Sequence, residues 1–177
     1  MKYSNISAQE FDSWLMGVGV NVVDNSGSRF DELLNIEENW NVSKLLKMTL
    51  ERRFEYDFGA VLAFSLNEFT IGKKINGELI NEDVNYFAVD IMLKNYISNY
   101  WKDPKKTKSD QYVLIGWGGN FFDWVINNTV NIGLGLNIKI GVFTWIDFHT
   151  IGKFSIDDNT AGNANHLQHS LSVVFKI

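Results

Sequence analysis

The chain has no cysteine, a single proline, no Arg/Lys-rich block and no long uninterrupted apolar run. Without thiols, disulfides, thiol catalysis and thiolate metal sites are excluded together. A membrane-spanning helix needs about 20 consecutive apolar residues, and no stretch of that length occurs. The opening MKYSNISAQEFDSW lacks the apolar h-region of a signal peptide. The balance of 16 basic and 21 acidic residues, net −5, argues against a nucleic-acid surface. Helical periodicity of domain size, internal repeats and linkers are missing as well. A length of 177 residues suits one domain.

What is present is alternation. In NTVNIGLGLNIKI (128–140), Val130, Ile132, Leu134, Leu136, Ile138 and Ile140 fall on one face, with Asn, Gly, Thr and Lys between them. Period two marks a strand whose faces meet different surroundings. The pattern recurs and predicts eight strands, at about 14–22, 44–54, 58–67, 86–95, 112–119, 129–138, 144–154 and 167–177. YVLIGWGG (112–119) is apolar on both faces; Val113, Ile115 and Trp117 are assigned to the greasy side. Long polar connections are expected at about 23–41, 68–84, 119–128 and 155–166. Short ones fall at 55–57 and roughly 139–143. NYWKDPKKTKSD breaks the rhythm by being long, and Pro104 lies there, outside every strand, as ladder hydrogen bonding requires. RFDELLNIEENW, in the first long connection, suits a helical turn or two.

Two architectures share such alternation. A soluble lipocalin-like barrel turns its aliphatic face inward and binds an apolar ligand there. A membrane barrel turns that face to lipid and packs a polar interior. The polar face decides between them. It is rich in small residues (Gly17, Gly19, Asn21, Gly59, Ala63, Ser65, Asn131, Gly133, Gly135), which a narrow eight-stranded interior accommodates. Its charges, Glu51, Arg53, Asp90, Lys94, Asp147 and Lys153, are mixed in sign and can pair inside, with His149 beside them. The greasy face places Trp14, Phe54, Phe58, Trp145 and Phe175 near the short turns and Trp40, Phe87 and Trp117 near the long loops, as two interfacial belts do. The expected fold is therefore all-β, an eight-stranded antiparallel up-and-down transmembrane β-barrel spanning 1–177 as a single domain. Val18, Val20, Leu62, Phe64, Val89, Ile91, Ile132, Leu134, Leu136, Phe148, Leu171 and Val173 are expected to face lipid.

Three long segments, VGVNVVDNSGSRFDELLNIEENWN (18–41), NEDVNYFAVDIMLK (81–94) and HLQHSLSVVFKI (166–177), resemble the OmpA-like outer-membrane barrels of the Bacteroidetes group. The resemblance runs from about Trp14 to the end and concerns the barrel domain only. It implies a Gram-negative cell envelope protein of the outer membrane, with both termini periplasmic and the long loops outside. Family members often continue into a periplasmic peptidoglycan-binding domain, and their last strand usually ends in an aromatic residue; here Phe175 is followed by Lys176 and Ile177.

Other features have simpler explanations than chemistry. His166 and His169 in HLQH are three apart, on opposite faces of a strand, and cannot chelate together. Asp147 and His149 share the inward face, but a carboxylate orienting a histidine needs a nucleophile to be catalytic; an interior polar network accounts for them. A lipid hydrolase would need a His–Ser pair on the lipid-facing wall, whereas Ser170 and Ser172 face inward and His169 outward. DNSGS (24–28) and DDNTAGN (157–163) lack the ligand spacing of a calcium loop and suit turns. No catalytic residue, metal or cofactor is expected. The expected function is a non-enzymatic, structural outer-membrane role, alone or as a subunit of a larger complex. Its partners are then outer-membrane lipid, lipopolysaccharide and, within a complex, other outer-membrane proteins. The alternatives are the lipocalin-like carrier and an outer-membrane lipid-modifying enzyme.

Overall fold

The computed structural model describes residues 13–25, 35–75, 78–104, 106–123, 125–157 and 165–177. The strands are β1 (Ser13–Asp24), β2 (Trp40–Asn41), β3 (Ser43–Phe54), β4 (Phe58–Phe69), β5 (Lys74–Ile75), β6 (Glu78–Leu79), β7 (Val84–Asn95), β8 (Ser109–Phe122), β9 (Val125–Lys139), β10 (Thr144–Ser155) and β11 (His166–Lys176). One helical turn, α1 (Ile36–Asn39), precedes β2, and a 3₁₀ turn occupies Ile97–Tyr100. The eight long strands pair antiparallel in the order β1-β3-β4-β7-β8-β9-β10-β11, and β11 returns to β1. The sheet is thus a closed up-and-down barrel without a free edge, which satisfies the backbone groups between strands. β2 continues β3 past a register shift between Ser43 and Leu46, where Lys44 takes a positive φ, and extends the ladder along β1.

Alternation sets the register. A slip of one residue along a whole strand would exchange its lumen side for its outer side, and none of the eight long strands shows one. Val113, Ile115 and Trp117 of β8 point outward, while Tyr112 and Leu114 are buried. The β3–β4 and β9–β10 turns and the longer β7–β8 connection lie at one end (the turn end); the β1–β2, β4–β7 and β10–β11 connections and the short β8–β9 connection lie at the other (the loop end).

Several expectations are corrected. The long connection expected at 119–128 does not exist: β8 runs to Phe122, β9 begins at Val125, and Asp123 in the turn has φ +51°. Its Asn and Gly residues suggested a loop, but they are strand positions: Asn120 and Asn127 are fully buried on the inward rows, and Gly119 and Asn128 pair with each other on the outward ones. Trp145 is not on the greasy face. It stands opposite Lys139 on the inward row at the turn-end mouth, with the ammonium 5.9 Å from its ring centre. β4 extends to Phe69 and β7 starts at Val84, beyond the alternation seen at 58–67 and 86–95. Within 68–84, β5 and β6 form a small hairpin of their own. Residues 26–28 of DNSGS and 158–163 of DDNTAGN lie outside the described residues.

Candidate functional site

The lumen is built from the inward residues of all eight strands. Glu51, Arg53, Asp90, Lys94, Asp147, His149 and Lys153 are all buried there. They fall into two groups, joined by residues that sequence reasoning did not select.

The central group is organised by Asp90 on β7. Its carboxylate accepts from Lys153 Nζ at 2.6 Å and from Asn131 Nδ2 at 2.8 Å, and Lys47 Nζ lies 4.0 Å away. Lys153 also donates to Asn120 Oδ1 at 2.9 Å, and Lys47 donates to Ser65 Oγ at 3.0 Å. Burying charge is tolerated only with this degree of pairing and hydrogen bonding. Gly118 on β8 makes the room: a Cβ there would meet the Asp90 carboxylate and lie 2.7 Å from Asn131 Nδ2.

The group nearer the turn end centres on Lys94. Its ammonium donates to Glu51 Oε2 at 3.0 Å, lies 3.9 Å from Asp147 Oδ2 and sits 3.8 Å from the Tyr112 ring centre. Tyr112 donates to Asp147 Oδ2 at 2.5 Å, and His149 Nδ1 lies 2.6 Å from Asp147 Oδ1. Tyr96, just after β7, donates to Glu51; burial, and then the Glu51 carboxylate, push its phenol well above the usual tyrosine range. Arg53 stacks over the Tyr96 ring at 3.8 Å and pairs with Asp110 at 3.8 Å. A cavity of about 20 Å³ touches Glu51, Lys94, Tyr112, Asp147 and His149, room for about one water.

Lys47, Tyr96, Asp110 and Tyr112 were missed for identifiable reasons. Lys47 and Tyr112 lie on the inward face by parity and could have been found. Tyr96 and Asp110 sit at strand ends, where alternation no longer fixes which way a side chain points. Towards the loop end the lumen turns aromatic: Phe69, Tyr86 and Phe122 pack at 5.3–5.8 Å between ring centres. The Tyr86 hydroxyl lies 3.0 Å from His166 Nε2 and donates to Asn120 at 2.9 Å. Among the described residues no group of three His, Asp or Glu side chains is placed to hold a metal.

The outer wall is its inverse. Val18, Val20, Phe64, Ile91, Ile132, Leu134, Phe148, Leu171 and Val173 are exposed, and Leu62, Val89 and Leu136, on the same outward rows, are half-buried. A polar pair interrupts this wall near the loop end. Thr150 Oγ1 lies 2.9 Å from His169 Nδ1, and Trp40 packs on the imidazole with ring centres 5.3 Å apart. Sequence reasoning sought a serine near His169 on its own strand; the hydroxyl comes instead from the neighbouring strand, through the pairing of Thr150 with His169.

No protein-family model matches the chain, and no curated protein matches it in sequence. Solved structures do share its fold. Neisserial surface protein A superposes with a TM-score of 0.64 at 9% identity, covering 93% of this chain and 97% of that one. The N-terminal β-barrel domain of Pseudomonas aeruginosa OprF gives 0.55 at 10% identity, covering 92% and 97%. The Escherichia coli outer membrane protein W gives 0.52 at 12% identity, covering 94% and 98%. The chain therefore has the transmembrane β-barrel fold of small outer-membrane proteins.

Proposed function

We propose that the protein is an integral barrel of the Gram-negative outer membrane, of the OmpA-like kind found in Bacteroidetes, with both termini periplasmic. Its role is structural and non-enzymatic within the cell envelope, alone or as a subunit of a larger outer-membrane assembly. Phospholipid and lipopolysaccharide are its surroundings.

The observation that carries this reading is inverted burial. Lys47, Asp90 and Lys153 are completely buried, while Leu134 is 69% exposed on the outer wall. In water, that arrangement would forgo hydrophobic burial and desolvate charges at the same time. In a bilayer the outward rows meet hydrocarbon and the lumen supplies the polar contacts. Strands of 11 to 15 residues reach or exceed the about 9–11 that a tilted strand needs to cross. A soluble carrier of an apolar ligand fits poorly, because the lumen is crossed by ion pairs and its cavity of about 20 Å³ holds no such ligand.

A folded barrel without edges resists detergent at room temperature. The unboiled sample should migrate faster than the boiled one on a denaturing gel, and the protein should need detergent or lipid to stay dispersed. Equal migration together with good solubility in plain buffer would refute the membrane placement.

A further inference from the structure

The turn-end mouth of the barrel carries positive charge that the lumen does not answer. On its inward rows, Lys108 stands just before β8, Lys139 ends β9, Trp145 lies near the start of β10 and Lys176 ends β11. Ser109 pairs with Ile138, and the Lys139 N–H donates to the Lys108 carbonyl at 2.7 Å, so the two lysines are direct cross-strand neighbours. Trp145 stands opposite Lys139 on the other side, and Lys176 stands opposite the buried Leu15 of β1. The ends of four adjacent strands thus bring three lysines and one indole to the same stretch of rim.

Like charges directly opposite each other on a sheet repel, and nothing among the described residues relieves this pair. Lys108 and Lys139 are exposed, and neither has a described carboxylate within ion-pair distance. The carboxylates one step further in are committed. Asp110 pairs with Arg53 at 3.8 Å, while Asp147 accepts from Tyr112 and faces His149 and Lys94. Elsewhere at this end, Asp103 pairs with Lys106 at 3.5 Å and Asp57 accepts from Asn99. Below the rim the bore is closed by Arg53 over the Tyr96 ring and Lys94 over the Tyr112 ring. The cavity there, about 20 Å³, has room for about one water. An anion can settle on this mouth but cannot enter it.

We propose that this rim binds an extended acidic segment of a partner protein on the turn-end side of the membrane. The inference deepens, and rests on, the reading of the chain as an outer-membrane barrel that serves in a larger assembly. From Lys108 to Lys176 the rim crosses three interstrand steps of about 4.8 Å, about 14 Å, which four residues of extended chain cover at about 3.4 Å each. Carboxylates on alternate residues of such a segment share one side, about 7 Å apart. One can bridge Lys108 and Lys139 while the next approaches Lys176. Glutamate suits the site better than aspartate, because its methylenes can lie on the half-buried ring of Trp145 between the lysines. An exposed ion pair contributes at most about 1 kcal/mol, a factor of about five in affinity, so several are needed for a measurable complex.

The test uses the full chain folded in phosphatidylcholine nanodiscs, which leave both ends open to solvent and bring no net lipid charge. The probe is a rhodamine-labelled peptide, Glu-Ser-Glu-Ser-Glu, with Gln-Ser-Gln-Ser-Gln as its neutral counterpart, and the readout is fluorescence anisotropy. At low salt the acidic peptide should bind and the neutral one should not. Sodium chloride at 1 M, with a screening length of about 3 Å, should release it. Lys108→Gln with Lys139→Gln should weaken binding about tenfold; should that variant not fold, Lys139→Gln alone should weaken it by up to about fivefold. Lys44→Gln with Lys73→Gln, at the loop end, should leave binding intact. A folded, heat-modifiable wild type that ignores the acidic peptide, or binding that survives the rim substitutions, overturns the inference and leaves the barrel reading standing. Release of the peptide by millimolar inorganic phosphate, at an ionic strength where chloride has no effect, would assign the rim to a small anion and also overturn it. A chain soluble in plain buffer with no heat-modifiable band overturns the membrane reading and this inference with it.

Discussion

Asp90→Asn is the substitution that most directly interrogates the lumen. It preserves shape and removes one charge, stranding two cations: Lys153, 2.6 Å away, and Lys47, 4.0 Å away, each with no exposed side-chain surface. Removing one partner of a buried ion pair typically costs about 3–5 kcal/mol. Because this carboxylate faces two ammonium groups, the expected loss is at the upper end of that range. Asn131, Asn120 and Ser65 remain as neutral partners but cannot replace the charge. Set against a total stability of about 5–15 kcal/mol for a typical folded protein, the loss should move the unfolding midpoint strongly. The assay is a urea titration of barrel folded in vesicles, followed by tryptophan fluorescence and by the heat-modifiable band. Asp90→Asn combined with Lys153→Met should recover part of the loss, since the cost lies in the uncompensated cation. A midpoint unchanged by Asp90→Asn would mean that water solvates these lysines and that the lumen is not the closed network described.

Leu134→Arg places a charge on the outward row in the middle of β9 and should cost about 2–4 kcal/mol near a bilayer midplane. Leu134→Cys should be quenched by lipid-borne probes and inert to aqueous thiol reagents; the reverse would turn the barrel outside in. Gly135→Ser, on the opposite face, should cost about 1–3 kcal/mol through overpacking, because a Cβ there would overlap the Tyr112 ring and lie 2.7 Å from His149 Cβ; a midpoint equal to wild type would show that the ring moves aside freely. Tyr112→Phe removes the donor to Asp147 and should cost about 1.5–3 kcal/mol, the range for hydrogen bonds to charged groups; an unchanged midpoint would mean that water replaces the hydroxyl.

The barrel itself was legible because alternation is a property of neighbours along the chain. Ile132, Leu134 and Leu136 reveal their shared face without knowledge of any other strand. The content of the lumen was half legible for the same reason: parity puts Asp90 and Lys153 inside, but only the order of strands around the barrel brings β7 and β10 side chains together across the bore. The Thr150–His169 pair is of the second kind, since it depends on which residue of β10 stands opposite residue 169. Local composition misled at 119–128, where Gly119, Asn120, Asn127 and Asn128 suggest a loop by soluble-protein habits. In an inverted barrel those residues are strand positions, and the chain turns at Asp123. Trp145 shares the parity of Asp147 and His149 and was placed on the wrong side because an aromatic ring near a strand end suits an interfacial belt, whereas Tyr96, beyond the end of β7, escapes parity and was overlooked.

The distribution of charge says where this chain can be selective. Among the described residues, Lys47, Arg53, Lys94 and Lys153 are matched in the lumen by Glu51, Asp90, Asp110 and Asp147, so these lumen charges cancel. The bore is crossed by ion pairs at two levels and capped by Phe69, Tyr86 and Phe122, so its groups are occupied with one another. The outer wall of aliphatic side chains meets any acyl chain equally well. Discrimination between surroundings therefore falls to the two ends, and among the described residues these differ in sign: basic at the turn end, acidic at the loop end. A change in the lumen should alter stability without altering what the barrel associates with. A change of charge at either end should do the opposite.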